Sequence, residues 1–181
     1  MGTRNLTMVI NHEGVTKVAQ YGQWDGYPSG VGLGVLNFLK DKELFEKFKS
    51  KLDKVRFLDK EGQDKEFIES YNNNAPEWSN ETDNRTEEQK RWWATYCHRD
   101  LSEEVLTNIA NSEDEEIILL NREETGKSDG WVEWSYIVNL KENMLHVHEH
   151  IDVPPIKSFS LDNLPTQDEF LKLEQLEETE E

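Results

Sequence analysis

From Trp131 to Leu140 the chain alternates, with Val132, Trp134, Tyr136, Val138 and Leu140 on every second position. Successive side chains of a strand point to opposite faces, so this pattern predicts a strand with one apolar face. Lys141-Glu142-Asn143 turns the chain, since Asn tolerates a left-handed backbone. Met144 to His150 returns. With Glu142 and Asn143 as a two-residue loop, Leu145 and Val147 join the apolar face, and Ser135, Ile137 and Asn139 stand opposite three histidines. A second hairpin is expected at the other end of the chain. Thr3 to Ile10 alternates, Asn11-His12-Glu13-Gly14 supplies turn residues, and Val15 to Tyr21 returns. The two hairpins are expected to join in one antiparallel sheet. The fold class is α+β, with helices from the middle of the chain and the C-terminus packed on that sheet.

Helical signals fill the middle. Val31 to Leu39 reads as a buried helix, and Asp41 caps a second one in which Leu44, Phe45, Phe48 and Leu52 share a face. Val55 to Leu58 is ambiguous. Asp64 to Tyr71 predicts a short helix with Phe67, Ile68 and Tyr71 inward, and Asn72 to Arg85 a long loop. Thr86-Glu87-Glu88-Gln89 is a capping box that opens a helix carrying Trp92, Trp93, Tyr96 and Cys97. Asp100-Leu101-Ser102-Glu103 repeats the pattern before Val105, Leu106 and Ile109. Ile117 to Leu120 reads as a short buried strand or helix end, Asn121 to Gly130 as a loop, and Ile151 to Leu164 as an irregular arm. Thr166 and Glu169 form a capping box for a C-terminal helix. The chain is expected to form one domain over 1–176, followed by a frayed acidic tail over 177–181.

Between the first hairpin and the first helix lies Gln20 to Gly34, which holds five Gly and one Pro and yet carries two Tyr and a Trp. Glycine permits tight backbone approaches, and the aromatics are expected to fasten the loop to the core. Trp24, Asp25, Gly26, Tyr27, Pro28, Gly30 and Gly32 are therefore candidates for a structural clasp or the lip of a ligand pocket. Gly30-Val31-Gly32-Leu33-Gly34 lacks the spacing of a dinucleotide loop, and no GK[ST] follows it.

The net charge of −18 is divided unevenly. Met1 to Glu66 carries 11 basic and 10 acidic residues, whereas Phe67 to Glu181 carries 9 basic and 28 acidic ones. Such a field repels nucleic acid and attracts basic surfaces. Direct nucleic-acid binding is therefore not expected. The acidic part, with Glu113, Asp114, Glu115, Glu116, Glu123 and Glu124, reads either as a solvated face or as a surface for a basic partner. A single cysteine, Cys97, excludes an internal disulfide, and no apolar run approaches the ~20 residues of a membrane span. A cytoplasmic protein without membrane contact is expected.

His146-Val147-His148-Glu149-His150 places three histidines on one face of a strand. Two such residues and a third ligand could bind zinc; the other reading is a polar, solvent-facing stripe. No resident cofactor is otherwise expected. Cys97, His98 and Asp100 compress a nucleophile, base and orienter into four residues, but neighbours on a helix point about 100° apart. A buried thiol beside Trp92 and Trp93 is the simpler reading, and no catalytic residue is assigned.

Met1-Gly2-Thr3-Arg4-Asn5-Leu6-Thr7 and Tyr21-Gly22-Gln23-Trp24-Asp25-Gly26-Tyr27-Pro28-Ser29-Gly30-Val31-Gly32 together resemble the start of a family of uncharacterised phage and prophage proteins. The Trp131 to His148 hairpin and Phe159 to Pro165 resemble that family's C-terminal end. The resemblance implies a viral or mobile-element origin and carries no activity. With that origin, the acidity suggests a non-enzymatic inhibitor of a host nucleic-acid-handling defence system, anti-CRISPR-like, mimicking nucleic acid in the basic cleft of a host protein. A metal-dependent enzyme on the histidine strand and a small-ligand-binding accessory domain are the alternatives.

Overall fold

The computed structural model describes residues 2–74, 84–127 and 131–177. In chain order it begins with β1 (Asn5–Ile10), β2 (Thr16–Gly22), α1 (Leu33–Lys40), α2 (Lys42–Lys51), β3 (Val55–Phe57) and α3 (Lys65–Asn74). There follow α4 (Glu87–Trp92), α5 (Glu104–Ala110), β4 (Ile117–Leu119) and α6 (Glu123–Lys127). The chain closes with β5 (Trp134–Asn139), β6 (Met144–His148), β7 (Lys157–Ser160), α7 (Gln167–Leu171) and α8 (Glu174–Glu177). This is an α+β fold whose main sheet, ordered β2-β1-β5-β6-β7, is mostly antiparallel.

Both expected hairpins are present. In the first, Asn11 organises the turn: its Oδ1 accepts from the Glu13 and Val15 amides at 3.1 and 2.8 Å. Gly14 sits at φ 87°, a backbone that glycine adopts without strain. A bulge shifts the pairing between Val9 and Ile10. In the second hairpin Asn143 takes the left-handed position, with φ 58°. Its register lies two residues from the expected one, with Ile137 opposite His146 and Ser135 opposite His148. A two-residue shift keeps every side chain on its face, so Leu145 and Val147 still point into the core.

The join between the hairpins differs from expectation. β1 and β5 run parallel, with Asn5 opposite Trp134 and Val9 opposite Val138. Alternation fixes the faces of a strand but not its direction relative to a neighbour, which here follows from the crossover through the middle of the chain. Both faces of β1 are buried. Leu6 and Met8 pack with Ala19, Val132 and Ile137 on one side, and Val9 faces the main core on the other. That is the usual environment of parallel pairing. β7 is a second difference: Lys157–Ser160 pairs with β6 inside the expected irregular arm. Four residues after Pro154-Pro155 are too few to show a period.

One face of the sheet carries the helices. Trp134 and Tyr136, both fully buried, meet Val35, Leu36, Phe48, Leu106, Ile109 and Phe170. Asp41 caps α2 by accepting from the Leu44 amide at 3.0 Å. Thr86 and Thr166 form the two reciprocal capping boxes that their sequences predict. The third box is not formed. α5 opens after Ser102, whose φ is 45°, and no side chain caps it. Two parts of the chain expected as loops carry helix: Asn72–Asn74 closes α3, and α6 lies within Asn121 to Gly130. Residues 75–83 of the expected long loop, residues 128–130 and all of the acidic tail beyond Glu177 lie outside the described residues. Among the described residues no helix is long and apolar enough to cross a membrane.

Gly32 lets the chain enter α1 close over the sheet. A Cβ there would lie 2.8 Å from the Tyr136 hydroxyl and 2.9 Å from the Phe170 ring. Gly32→Ala is expected to cost about 1–3 kcal/mol through overpacking. A urea titration checks this as a lower midpoint at unchanged slope.

Candidate interaction surface

β3 and β4 form a separate parallel pair, which brings Glu116, the last residue of the acidic stretch before β4, to Arg56. Arg56 stands between Val55 and Phe57, so strand alternation turns it outward from the core. Its guanidinium grips two carboxylates. Nη1 and Nη2 donate to Asp64 at 2.6 and 2.9 Å, and Nε and Nη2 donate to Glu116 at 2.6 and 3.0 Å. The Asp59 amide also donates to Asp64, at 2.8 Å. The guanidinium holds both carboxyls below the usual carboxylate range and is itself held in the charged form. Asp64 is only 9% exposed, while Glu116 is 54% exposed, so the Asp64 arm is the better shielded from solvent.

Asp114 is held in a similar way. Arg91 Nη2 donates to it at 2.7 Å, the Tyr96 hydroxyl donates to it, and its own amide donates to Ser112 Oγ at 3.1 Å. The Tyr96 and Arg91 bonds lower the Asp114 pKa, and burial raises that of Tyr96. Between the two clusters opens a cavity of about 420 Å³ with Phe67, Trp92 and Ile118 in its lining. Trp92 is fixed in place: its indole N–H donates to the Ile118 carbonyl at 3.0 Å, and Phe67 and Tyr71 meet it edge-on at 5.2 and 5.5 Å. Glu88 and Glu115 also line the cavity; both are exposed, and neither forms an ion pair among the described residues.

The expected acidic residues thus fall into three groups. Asp114 and Glu116 are committed to internal partners. Glu113 and Glu115 face solvent. Glu123 and Glu124 lie beyond the other end of β4 on α6, where Lys127 reaches them at 2.8 and 3.4 Å. Sequence reasoning missed Arg56, Asp64, Glu88 and Arg91. The one signal for them was an arginine inside an otherwise apolar strand, Val55-Arg56-Phe57.

The histidines do not converge. His146 bonds Ser158 Oγ through Nδ1 at 2.7 Å and Glu142 through Nε2 at 2.9 Å. His148 is buried, which pushes its pKa down, and its neutral ring donates from Nδ1 to the Val153 carbonyl at 2.8 Å. His150 lies past the end of β6, with its Nδ1 2.8 Å from the Val132 carbonyl. The His146 and His148 ring centres are 6.3 Å apart. Among the described residues no three His, Cys, Asp or Glu side chains are grouped to hold a metal ion. Cys97 is buried, and burial pushes its thiol up to about 12, so it stays protonated.

The glycine-rich loop is tied down mostly by its backbone, and of its aromatics Tyr21 packs against the smaller core cluster. The Gly26 amide donates to the Thr3 carbonyl at 3.0 Å, and the Gly26 carbonyl accepts from the Tyr136 hydroxyl at 2.8 Å. The Val31 amide donates to the Asp25 carbonyl at 2.9 Å. Pro28 and Gly32 are buried in the turn that leads into α1, and Gly30 lies within it at φ −102° and ψ −106°. Trp24 and Tyr27 remain about half exposed, at 49% and 47%. Behind the loop the Glu103 carboxyl lies against Gly34, and burial raises it to about 7.

Two titration experiments follow. Removing the guanidinium in Arg56→Met leaves Asp64 without its cation, at an expected cost of about 3 kcal/mol near neutral pH. Because the native pKa values of Asp64 and Glu116 are depressed, that contribution is present above about pH 4 and is lost as pH falls through them. Parent and variant stabilities should therefore converge in acid, as read from urea midpoints across pH. Glu103 has the opposite sign. Its raised pKa favours the fold below its ordinary 4.5, and that advantage is lost as pH rises through about 7. Glu103→Gln should remove this slope and stabilise the protein at pH 8, as followed by thermal melts. Comparison with protein-family models, with curated proteins and with solved structures found no match to this chain.

Proposed function

We propose that this chain is a non-enzymatic interaction protein whose acidic part occupies a basic, nucleic-acid-binding surface of another protein. The observation that carries the reading is the carboxylate-rimmed cavity. Among the described residues five carboxylates line it against two guanidinium groups, Glu88 and Glu115 have no cation partner, and an immobilised Trp92 forms part of its wall. A lysine or arginine of a partner entering there would pair with Glu88 or Glu115 and lie against the indole. Such a cation–π contact contributes about 0.5–2 kcal/mol, depending on desolvation. Internal pairing of Asp114 and Glu116 supports the same reading, because it fixes part of the negative surface before a partner arrives. The surplus of 19 negative charges over Phe67 to Glu181 would steer a basic surface toward this face. The resemblance of both chain ends to phage proteins makes a host nuclease or other nucleic-acid-handling defence protein the partner class.

A pull-down from bacterial host lysate tests this. Nucleic-acid-handling proteins should be captured at low salt and released at high salt. Capture should fall at least about tenfold in the double variant Glu88→Lys/Glu115→Lys and persist in Lys47→Glu/Lys51→Glu. Capture that ignores salt, or that both double variants reduce equally, overturns the proposal.

A further inference from the structure

A second cavity, of about 280 Å³, has the opposite electrostatic character. Trp93, Trp131 and Tyr21 supply its aromatic walls, Arg99 and Arg122 its charge, and no carboxylate among the described residues lines it. In a chain of net charge −18, two arginines line this cavity with no carboxylate among its described lining residues. Arg122 forms no ion pair among the described residues, and Arg99 reaches Asp100 only at 3.9 Å. Cys97 also borders the cavity as a neutral thiol, so it adds no negative charge.

The aromatic wall is held in place. Arg4 stacks on Trp131 with its guanidinium carbon 4.3 Å from the ring centroid, and Glu133 anchors Arg4 at 3.3 Å. Trp131 nevertheless keeps 50% of its surface exposed. A braced, half-exposed indole beside Arg122, which pairs with no described carboxylate, and Arg99, whose contact with Asp100 is a long 3.9 Å, is suited to a flat ring that carries an anion. Bases stack on indole faces with little dependence on sequence, and guanidinium forks match phosphate oxygens bidentately.

We propose that this cavity binds a free nucleoside monophosphate, with the base against Trp131 or Trp93 and the phosphate on Arg122 and Arg99. The size fits a small ligand: at about 280 Å³ the cavity lies just below the ~300–1,000 Å³ typical of small-molecule sites, room for one nucleotide and not for a strand. Charge separates the free ligand from nucleic acid. A polymer would run over a surface that repels it, whereas remote carboxylates are screened from a single nucleotide beyond the Debye length of about 8 Å. The site is distinct from the acidic cavity and does not depend on the function proposed for it.

Calorimetric titration of the whole chain with AMP, GMP, CMP and UMP is the test, with tryptophan fluorescence as a second readout. At least one of them should bind with Kd below about 1 mM. Adenosine and inorganic phosphate should each bind at least about tenfold more weakly than AMP, since each offers only half of the recognised chemistry. Arg122→Gln and Trp131→Ala should each weaken binding about tenfold or more, and Trp131→Phe should restore part of it. Arg122→Gln replaces a half-buried guanidinium with a smaller, uncharged amide, so it keeps the test decisive if Trp131→Ala does not fold. No binding by any of the four nucleotides overturns the proposal, as does an Arg122→Gln protein that binds as tightly as the parent. A 5′-phosphorylated hexanucleotide that binds more tightly than AMP overturns the assignment to a free nucleotide.

Discussion

The parallel pairing of β1 with β5 is the contact on which the rest of the structure depends. Each hairpin alone would be marginal in water, since two strands cannot bury an apolar face between them. Joined through β1 and β5, they make a sheet on which Trp134, Tyr136 and Val138 present one continuous surface. A parallel join requires a crossover, and here the crossover is the whole middle of the chain. That segment supplies α1, α2 and α5, which cover the sheet, and also the small β3–β4 pair beside it. The acidic stretch before β4 and the Arg56 that organises it therefore lie at a place set by the sheet.

The bulk charge of the chain overstates what is available to a partner. Asp64, Asp114 and Glu116 add three negative charges to the count, and Arg56 and Arg91 offset two of them locally. Exposed pairs such as Lys47–Glu43 are worth little for stability. The Arg56 cluster differs because Asp64 is nearly buried, and removing one partner would strand the other in a low-dielectric site. Among the described residues, the carboxylates without an ion pair on this side are chiefly Glu88, Glu113 and Glu115. Electrostatic mimicry here rests on a few carboxylates held against a rigid aromatic wall more than on the total of −18.

Features with a short sequence period or a local hydrogen-bond logic were legible. The alternation of Trp131 to Leu140, the Asn143 turn, the Asp41 cap and the boxes at Thr86 and Thr166 all depend on residues within a few positions of one another. Asp100-Leu101-Ser102-Glu103 had the same local form and did not cap, because the left-handed Ser102 redirects the chain and burial turns Glu103 toward Gly34. Strand direction at β1–β5, the two-residue register difference and the pairing of β7 are set by contacts between distant parts of the chain. The acidic face was visible as charge; its division into paired and unpaired carboxylates was not, since Arg56 and Glu116 are 60 residues apart. The histidine strand shows the reverse: its spacing suggested convergence, but backbone carbonyls, a serine and a glutamate separately engage the rings.

Trp92 and Trp93 link the two candidate cavities. They are adjacent at the end of α4, and consecutive helical residues point about 100° apart. Trp92 accordingly lines the acidic cavity and Trp93 the basic one, with ring centres 6.5 Å apart. The Tyr71 ring contacts both. One short helix end thus forms a wall common to a site suited to cations and a site suited to an anion. The chain continues from it as a wide, π-helical turn over Trp93–Cys97, which brings Tyr96 to Asp114 and buries Cys97 beside Arg122. The two cavities therefore share a wall of packed rings, whatever occupies each of them.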